Sequence, residues 1–243
     1  MTRILGIVQA RMGSTRLPGK VLRPLAGRSV LGWVVRAARA AGTLDELVVA
    51  TTTEPADDAV VAEASALGVA TSRGSVHDVL SRFVAALDDR PADAVVRFTA
   101  DCPLLDPGVV AAAANAWRAA PWLDYVSTAL PRRLPRGTDV EVIAAGALRE
   151  LSATAVGHHR THVTSGLYSE PAGWSMLGLT LHPDASDLRV TLDTPDDWRL
   201  IETVVDHFGD RPVALPELVG WLRAHPAVTG LNAHVRQKVL EAG

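Results

Sequence analysis

The sequence predicts an α/β fold: a mixed, mainly parallel sheet with helices against both faces. Three observations carry that expectation. Short apolar runs of strand length, at residues 4–8, 46–51 and 94–99, alternate with longer segments of helical period. The runs are continuously apolar, as strands covered on both sides are. A glycine-containing cationic loop follows the first run, at the edge where such sheets receive ligands.

After that loop, Ser29 is placed to cap a helix through 41, with Val30, Trp33, Val34 and Ala37 on one face and Gly42 closing it. A strand at 46–51 is followed by Pro55 and Asp57, which open an alanine-rich helix to 67 that Gly68 ends. The pattern then gives a strand at 69–71, a turn at 72–75, a helix at 76–87, a strand at 94–99 and a helix at 107–118. Beyond it the rhythm breaks. A strand at 124–129, a basic proline-broken turn at 131–137 and an alternating strand at 138–143 predict a hairpin excursion, with a helical region around 146–164. The excursion spans about 123–165. Strands at 176–181 and 188–192 return to the sheet, and Pro195 opens a helix with Trp198, Ile201 and Val205 on its apolar face. A helical tail, about 207–243 and punctuated by Pro212 and Pro216, completes one domain over 1–243.

Composition narrows the function. Hydrophobic content of 48% supports a packed core, and a net charge of −3 favours neither nucleic acid nor an anionic membrane. The single cysteine, Cys102, allows no internal disulfide and fits a reducing cytoplasm. The N-terminal apolar run is too short for a signal peptide, and no run reaches membrane-span length. The expectation is a cytoplasmic protein without membrane or nucleic-acid partners.

The loop gathers Arg11, Gly13, Ser14, Thr15, Arg16, Gly19 and Lys20. Cationic side chains, hydroxyls and exposed backbone N–H groups together suit a polyphosphate. It is not a Walker loop: five residues separate Gly13 from Gly19 where that pattern has four, and Val21 follows the lysine. The chain has 22 arginines and only two lysines, Lys20 and Lys238. A lysine in this loop therefore indicates a need for a compact, flexible point charge.

Acidic stations face the loop. Asp101 follows a buried strand and can hold a magnesium ion bridging phosphates, or act as a turn aspartate. Asp193 ends another expected strand, while Asp196 and Asp197 read as first-turn acids favoured by the helix dipole. Asp139 and Glu141 read as same-face neighbours on a strand, facing a substrate or a second subunit. His158 and His162 share a helical spacing, with His159 between them, but no third ligand supports zinc. Cys102 reads as a small buried residue without a paired base.

Together these segments resemble a family, the CTP-dependent cytidylyltransferases: the acylneuraminate and CMP-Kdo synthetases, and most closely the spore-coat polysaccharide biosynthesis protein F branch. The signature stretch is 9–20. The likeness continues at Arg73-Gly74-Ser75, Asp78-Val79-Leu80 with Arg82, 97–107, 124–127, 135–137, His162-Val163-Thr164 and 189–197. One departure is Thr161, where the branch usually carries a glutamate, and it bears on the acceptor. The resemblance implies a Rossmann-like nucleotide-diphospho-sugar transferase (GT-A-like) fold, Mg²⁺ dependence and a homodimer. It assigns Arg11, Ser14, Arg16 and Lys20 to CTP phosphates, Asp101 and Asp193 to the metal, and Arg73 and Asp78 to the nucleoside side. Gly13 and Thr15 complete the nucleotide loop, and Lys20, Arg16 and Asp101 are the expected catalytic set.

The expected activity is Mg²⁺-dependent transfer of CMP from CTP to a sugar acid or related acceptor, a phosphonate included, with release of pyrophosphate. A glycosyltransferase on the same fold is the alternative; it would need an Asp-x-Asp, and Cys102-Pro103 follows Asp101 instead. A non-catalytic CTP-binding homologue is the third reading.

Overall fold

The apolar run at 4–8 forms the middle of the sheet because both of its faces are covered. In the structure, a computed structural model that describes residues 2–237, this run is β1 (Ile4–Gln9). Ile4 and Val8 pack into one core, Leu5 and Ile7 into the other. The period-2 geometry of a strand makes that division. Beyond the loop, Pro24–Leu25 (β2) and Arg28–Ser29 (β3) form a separate two-stranded ribbon. Ser29 then caps α1 (Val30–Ala40) by accepting the Gly32 N–H at 2.9 Å.

β4 (Glu46–Thr52), α2 (Asp58–Ala66) and β5 (Ala70–Gly74) follow. The strand expected at 69–71 thus runs on through the segment read as a turn, because Ser72, Arg73 and Gly74 pair with Ala50, Thr51 and Thr52. α3 (Val79–Asp89) begins three residues later than the expected helix, since the Asp78 carboxylate accepts the Ser81 N–H at 2.8 Å and caps it there. β6 (Ala94–Thr99) and α4 (Pro107–Ala119) sit where the sequence places them.

The hairpin of β7 (Tyr125–Ser127) and β8 (Glu141–Ala144) extends the main sheet. α5 (Ala145–Thr154), a 3-10 turn at Gly157–Arg160 and α6 (Ser165–Ser169) follow, then the edge strand β9 (Met176–Gly178), shorter than the expected 176–181. The seven strands run β5-β4-β1-β6-β8-β7-β9, with β8 antiparallel to its neighbours. α1, α2 and α4 cover one face; α3 and α5 cover the other.

The segment 188–192 is not a strand. Among the described residues its only ladder contact is a bridge between Arg136 and Arg189, because its backbone is divided between partners: Val190 N donates to Arg136 O at 2.7 Å and Leu192 N to Asp101 O at 2.8 Å. α7 (Pro195–Phe208) buries Leu200, Ile201, Val204 and Val205. α8 (Leu215–Ala224) and the short α9 (Pro226–Thr229) form the tail as far as it is described; residues 238–243 of the expected tail, Lys238 among them, lie outside the described residues. Among the described residues no helix is long and apolar enough to cross a membrane.

Candidate active site

β1, β4, β5 and β6 run parallel, so the segments leaving them meet at one edge of the sheet. The loop after β1 crosses that edge. Gly19, at φ +66°, takes the left-handed turn that brings its N–H back to Met12 O at 3.2 Å. The Ser14 hydroxyl accepts the Leu17 N–H at 3.4 Å inside the loop. Arg11, Gly13 and Thr15 stand exposed on its rim, Ser14 and Arg16 are half-buried, and Lys20 is buried at 8% exposure.

Asp57, which reads in sequence only as a helix opener, anchors this loop. Its carboxylate accepts the Met12 N–H at 2.6 Å and the hydroxyl of buried Thr52. Removing it strands both donors, so Asp57→Ala is expected to cost about 1–3 kcal/mol of stability. Urea unfolding checks this; an unchanged midpoint would contradict the anchoring role.

Lys20 reaches the centre of the site. Its Nζ donates to Asp101 Oδ2 at 2.7 Å, Asp193 Oδ1 at 2.9 Å and Leu192 O at 2.5 Å. Residues from opposite ends of the chain thus converge on one nitrogen. Two contacts hold the Asp193 segment there: the Leu192–Asp101 backbone bond, and a close approach at Gly137, where a Cβ would lie 2.6 Å from Thr191 N. Arg16 lies 3.3 Å from Asp193 and Arg189 2.8 Å from it. Burial alone would pull the Lys20 ammonium down, but Asp101 and Asp193 outweigh it and hold the group above its ordinary value. Burial would likewise raise the Asp193 carboxyl, yet Lys20, Arg189 and Arg16 hold it low.

Asp197 corrects its reading as a helix-dipole acid. It is fully buried and accepts from Arg189 Nε at 2.8 Å, Asn232 Nδ2 at 2.8 Å and the backbone N–H groups of Asp193 and Thr194 at 3.0 Å. It fixes Arg189, and Arg189 fixes Asp193. The Thr194–Asp197 capping box was the sequence signal for this.

The structure spreads the remaining expected residues around this centre. Arg73 lies in β5, and its guanidinium donates to Thr52 O at 2.8 Å, Glu54 O at 3.1 Å and Asp58 at 2.7 Å. Asp78 caps α3 and pairs with Arg160, 2.9 Å from its Nε. Asp139 and Glu141 are not strand neighbours, since β8 begins at Glu141. Asp139 pairs with Arg132 at 2.6 Å, while buried Glu141 accepts from Arg97, Tyr125 and Thr164 inside the domain. His159 Nδ1 lies 2.8 Å from the Ser165 hydroxyl, and among the described residues no three His, Cys, Asp or Glu side chains gather as a metal site. Burial and the neighbouring Asp101 push the Cys102 thiol up, which suits a packed thiol rather than a nucleophile.

Two carboxylates on one point are a donor set that fits a hard divalent cation, which commonly takes one or two carboxylates and completes its shell with water and phosphate oxygens. A cationic loop beside paired carboxylates at the sheet edge is chemistry that suits a polyphosphate.

The cytidylyltransferase family model matches residues 5–138. The spore coat polysaccharide biosynthesis protein SpsF of Bacillus subtilis is 33% identical over 237 residues, 93% of this chain and 96% of that protein. The 3-deoxy-manno-octulosonate cytidylyltransferase of Synechococcus elongatus is 36% identical over 129 residues, 49% of this chain and 48% of that one. A solved cytidylyltransferase from Leptospira borgpetersenii superposes with a TM-score of 0.90 at 25% identity, over 98% of this chain and 99% of its own. The chain is a nucleotidyltransferase and belongs to the cytidylyltransferase family.

Proposed function

We propose that this enzyme transfers CMP from CTP to a hydroxyl of an anionic acceptor, a sugar acid or a related compound, and releases pyrophosphate. The observation that carries the reading is Lys20 Nζ set between Asp101 and Asp193 beneath the cationic loop. The acceptor oxygen attacks the α-phosphorus in line. A new P–O bond forms, the bond to the bridging oxygen of the β-phosphate breaks, and the acceptor loses its hydroxyl proton. Arg11, Ser14, Arg16 and the loop N–H groups bind the triphosphate, with Gly13 and Thr15 on the rim. Lys20 leaves the carboxylates for the phosphates as the nucleotide enters and stabilises charge on the departing pyrophosphate. Asp101 and Asp193 would hold Mg²⁺, which when bound neutralises phosphate charge.

The acceptor's negative charge has a candidate partner. Of the three arginines in the 131–137 turn, Arg132 is engaged by Asp139 and Arg133 by Asp184. Arg136 forms no ion pair among the described residues. The name of the Synechococcus relative, an octulosonate cytidylyltransferase, supports a sugar-acid acceptor. A cytoplasmic homodimer belongs to the same proposal. Leu177 on the edge strand and nearby Leu181, both exposed, are candidates for its face.

A screen of four nucleoside triphosphates against sugar acids, sugar phosphates and phosphonates tests the reading by pyrophosphate release, with the product identified by mass. Acceptor-dependent release with CTP and a CMP-linked product is expected. Consumption of a nucleotide sugar without pyrophosphate would replace it with the glycosyltransferase.

A further inference from the structure

Beyond α9 the chain runs through turns, and there it buries a side chain that usually faces water. Asn232 is 3% exposed. Leu231 beside it packs on the cluster that holds Leu200, Ile201 and Val204 of α7, and Asn232 O accepts the Val235 N–H at 2.9 Å. The Asn232 amide has two N–H groups, and each finds an acceptor: Arg189 O at 3.1 Å and Asp197 Oδ1 at 2.8 Å. One side chain thus ties both ends of the segment 189–197, with Asp193 between them. A neutral donor suits the place, because it satisfies Asp197 without adding charge beside the Arg189–Asp197 pair. Further along the tail, Gln237 Oε1 accepts from Arg189 Nη1 at 2.9 Å. Arg189 Nη2 meanwhile holds Asp193 Oδ2 at 2.8 Å and leaves Oδ1 to Lys20.

We propose that Asn232 is a positioning residue for Asp193: through Asp197 and Arg189 it fixes the orientation in which Asp193 Oδ1 meets a divalent cation. The inference rests on the proposed function, in which Asp101 and Asp193 hold Mg²⁺. When Lys20 departs for the phosphates, Asp193 loses its Oδ1 partner. Arg189, with Arg16 at 3.3 Å, is then what keeps the carboxylate in place. Arg189 can do so only while its own backbone and its Asp197 partner stay fixed, and Asn232 bonds to both. Removing a group that orients a metal-binding carboxylate typically lowers metal affinity by about 10–100-fold. A residue that merely pinned the tail to the fold would change stability and leave the cation's effect on nucleotide binding untouched.

Calorimetric titration of CTP with and without Mg²⁺ tests this in the wild type, Asn232→Ala and Asn232→Asp, with His234→Ala as a control. His234 lies on the same tail, but its Nε2 faces Asp196 at 3.1 Å, outside the Arg189–Asp197 pair. The strengthening of CTP binding by Mg²⁺ is expected to fall by about tenfold in both Asn232 variants. Affinity without Mg²⁺ should stay within about twofold of the wild type, because the 11–20 loop is untouched. His234→Ala should match the wild type. An undiminished Mg²⁺ effect in the Asn232 variants would overturn the proposal, as would an equal loss of CTP affinity with and without the cation. A loss of the same size in His234→Ala would overturn it too. If neither Asn232 variant folds, hydrogen exchange in the wild type decides. Coupling is reciprocal, so CTP with Mg²⁺ should protect residues 230–237 beyond the protection it gives α8. Protection no greater than that of α8 would overturn the proposal. A wild type that binds no CTP, or binds it without response to Mg²⁺, overturns the proposed function and this proposal with it.

Discussion

Lys20→Ala is expected to lower acceptor-dependent pyrophosphate release about a hundredfold or more, a barrier increase of ~3 kcal/mol. The lysine is the group whose charge the site most carefully maintains. It is buried, and two carboxylates hold its ammonium protonated across the neutral range. Nζ contacts carboxylates in the resting site and, under the proposed function, would meet phosphate charge in the transition state, so its effect falls on the rate. Asp101→Asn is expected to fail similarly, because it halves the carboxylate pair. In both variants circular dichroism should show an intact fold, since the sheet and both main cores lie beneath the cluster. Steady-state pyrophosphate assays read the effect, and near-wild-type rates would remove Lys20 from the chemistry.

Asp197→Ala is expected to destabilise the protein by about 3–5 kcal/mol, because it removes the fully buried acceptor shared by Arg189, Asn232 and the Asp193 and Thr194 N–H groups. For a chain of this size that lowers Tm by roughly 6–20 °C. Differential scanning calorimetry measures it, and a shift under 2–3 °C, about 1 kcal/mol, would contradict the account. pH supplies a second reading. Burial would raise the Asp197 carboxyl, but Arg189 and Asn232 hold it below its ordinary value. A depressed carboxyl stabilises the fold above its unfolded pKa of about 3.9 and loses that contribution as pH falls through the lower folded value. The stability gap between wild type and variant should therefore narrow only below about pH 4.

The half of the molecule built on local signals was legible in the sequence. β1 reads from five apolar residues, α1 from its Ser29 cap, and the cationic loop after β1 from its crowd of cations, hydroxyls and glycines. What escaped depends on partners far along the chain. Ser72-Arg73-Gly74 has turn composition, yet pairing with β4 overrides it. Residues 188–192 carry strand-like alternation, but their N–H groups go to Arg136 and Asp101 instead of one ladder. Asp57 meets Met12 across 45 residues, and Asn232 meets Asp197 across 35. Pattern reveals which side chains could do chemistry. Burial and hydrogen bonding reveal which are already committed.

In the proposed function, the loop from 11 to 20 and the Asp101–Asp193 pair form one cation-dependent nucleotide site. Calorimetric titration of CTP, with and without Mg²⁺, into wild type, Lys20→Ala and Asp193→Asn tests it without knowledge of the acceptor. The account predicts CTP binding to the wild type that strengthens at least tenfold with Mg²⁺. It also predicts weaker binding to Lys20→Ala and loss of the Mg²⁺ effect in Asp193→Asn. Equal CTP affinity in all three proteins, indifferent to the cation, would contradict it.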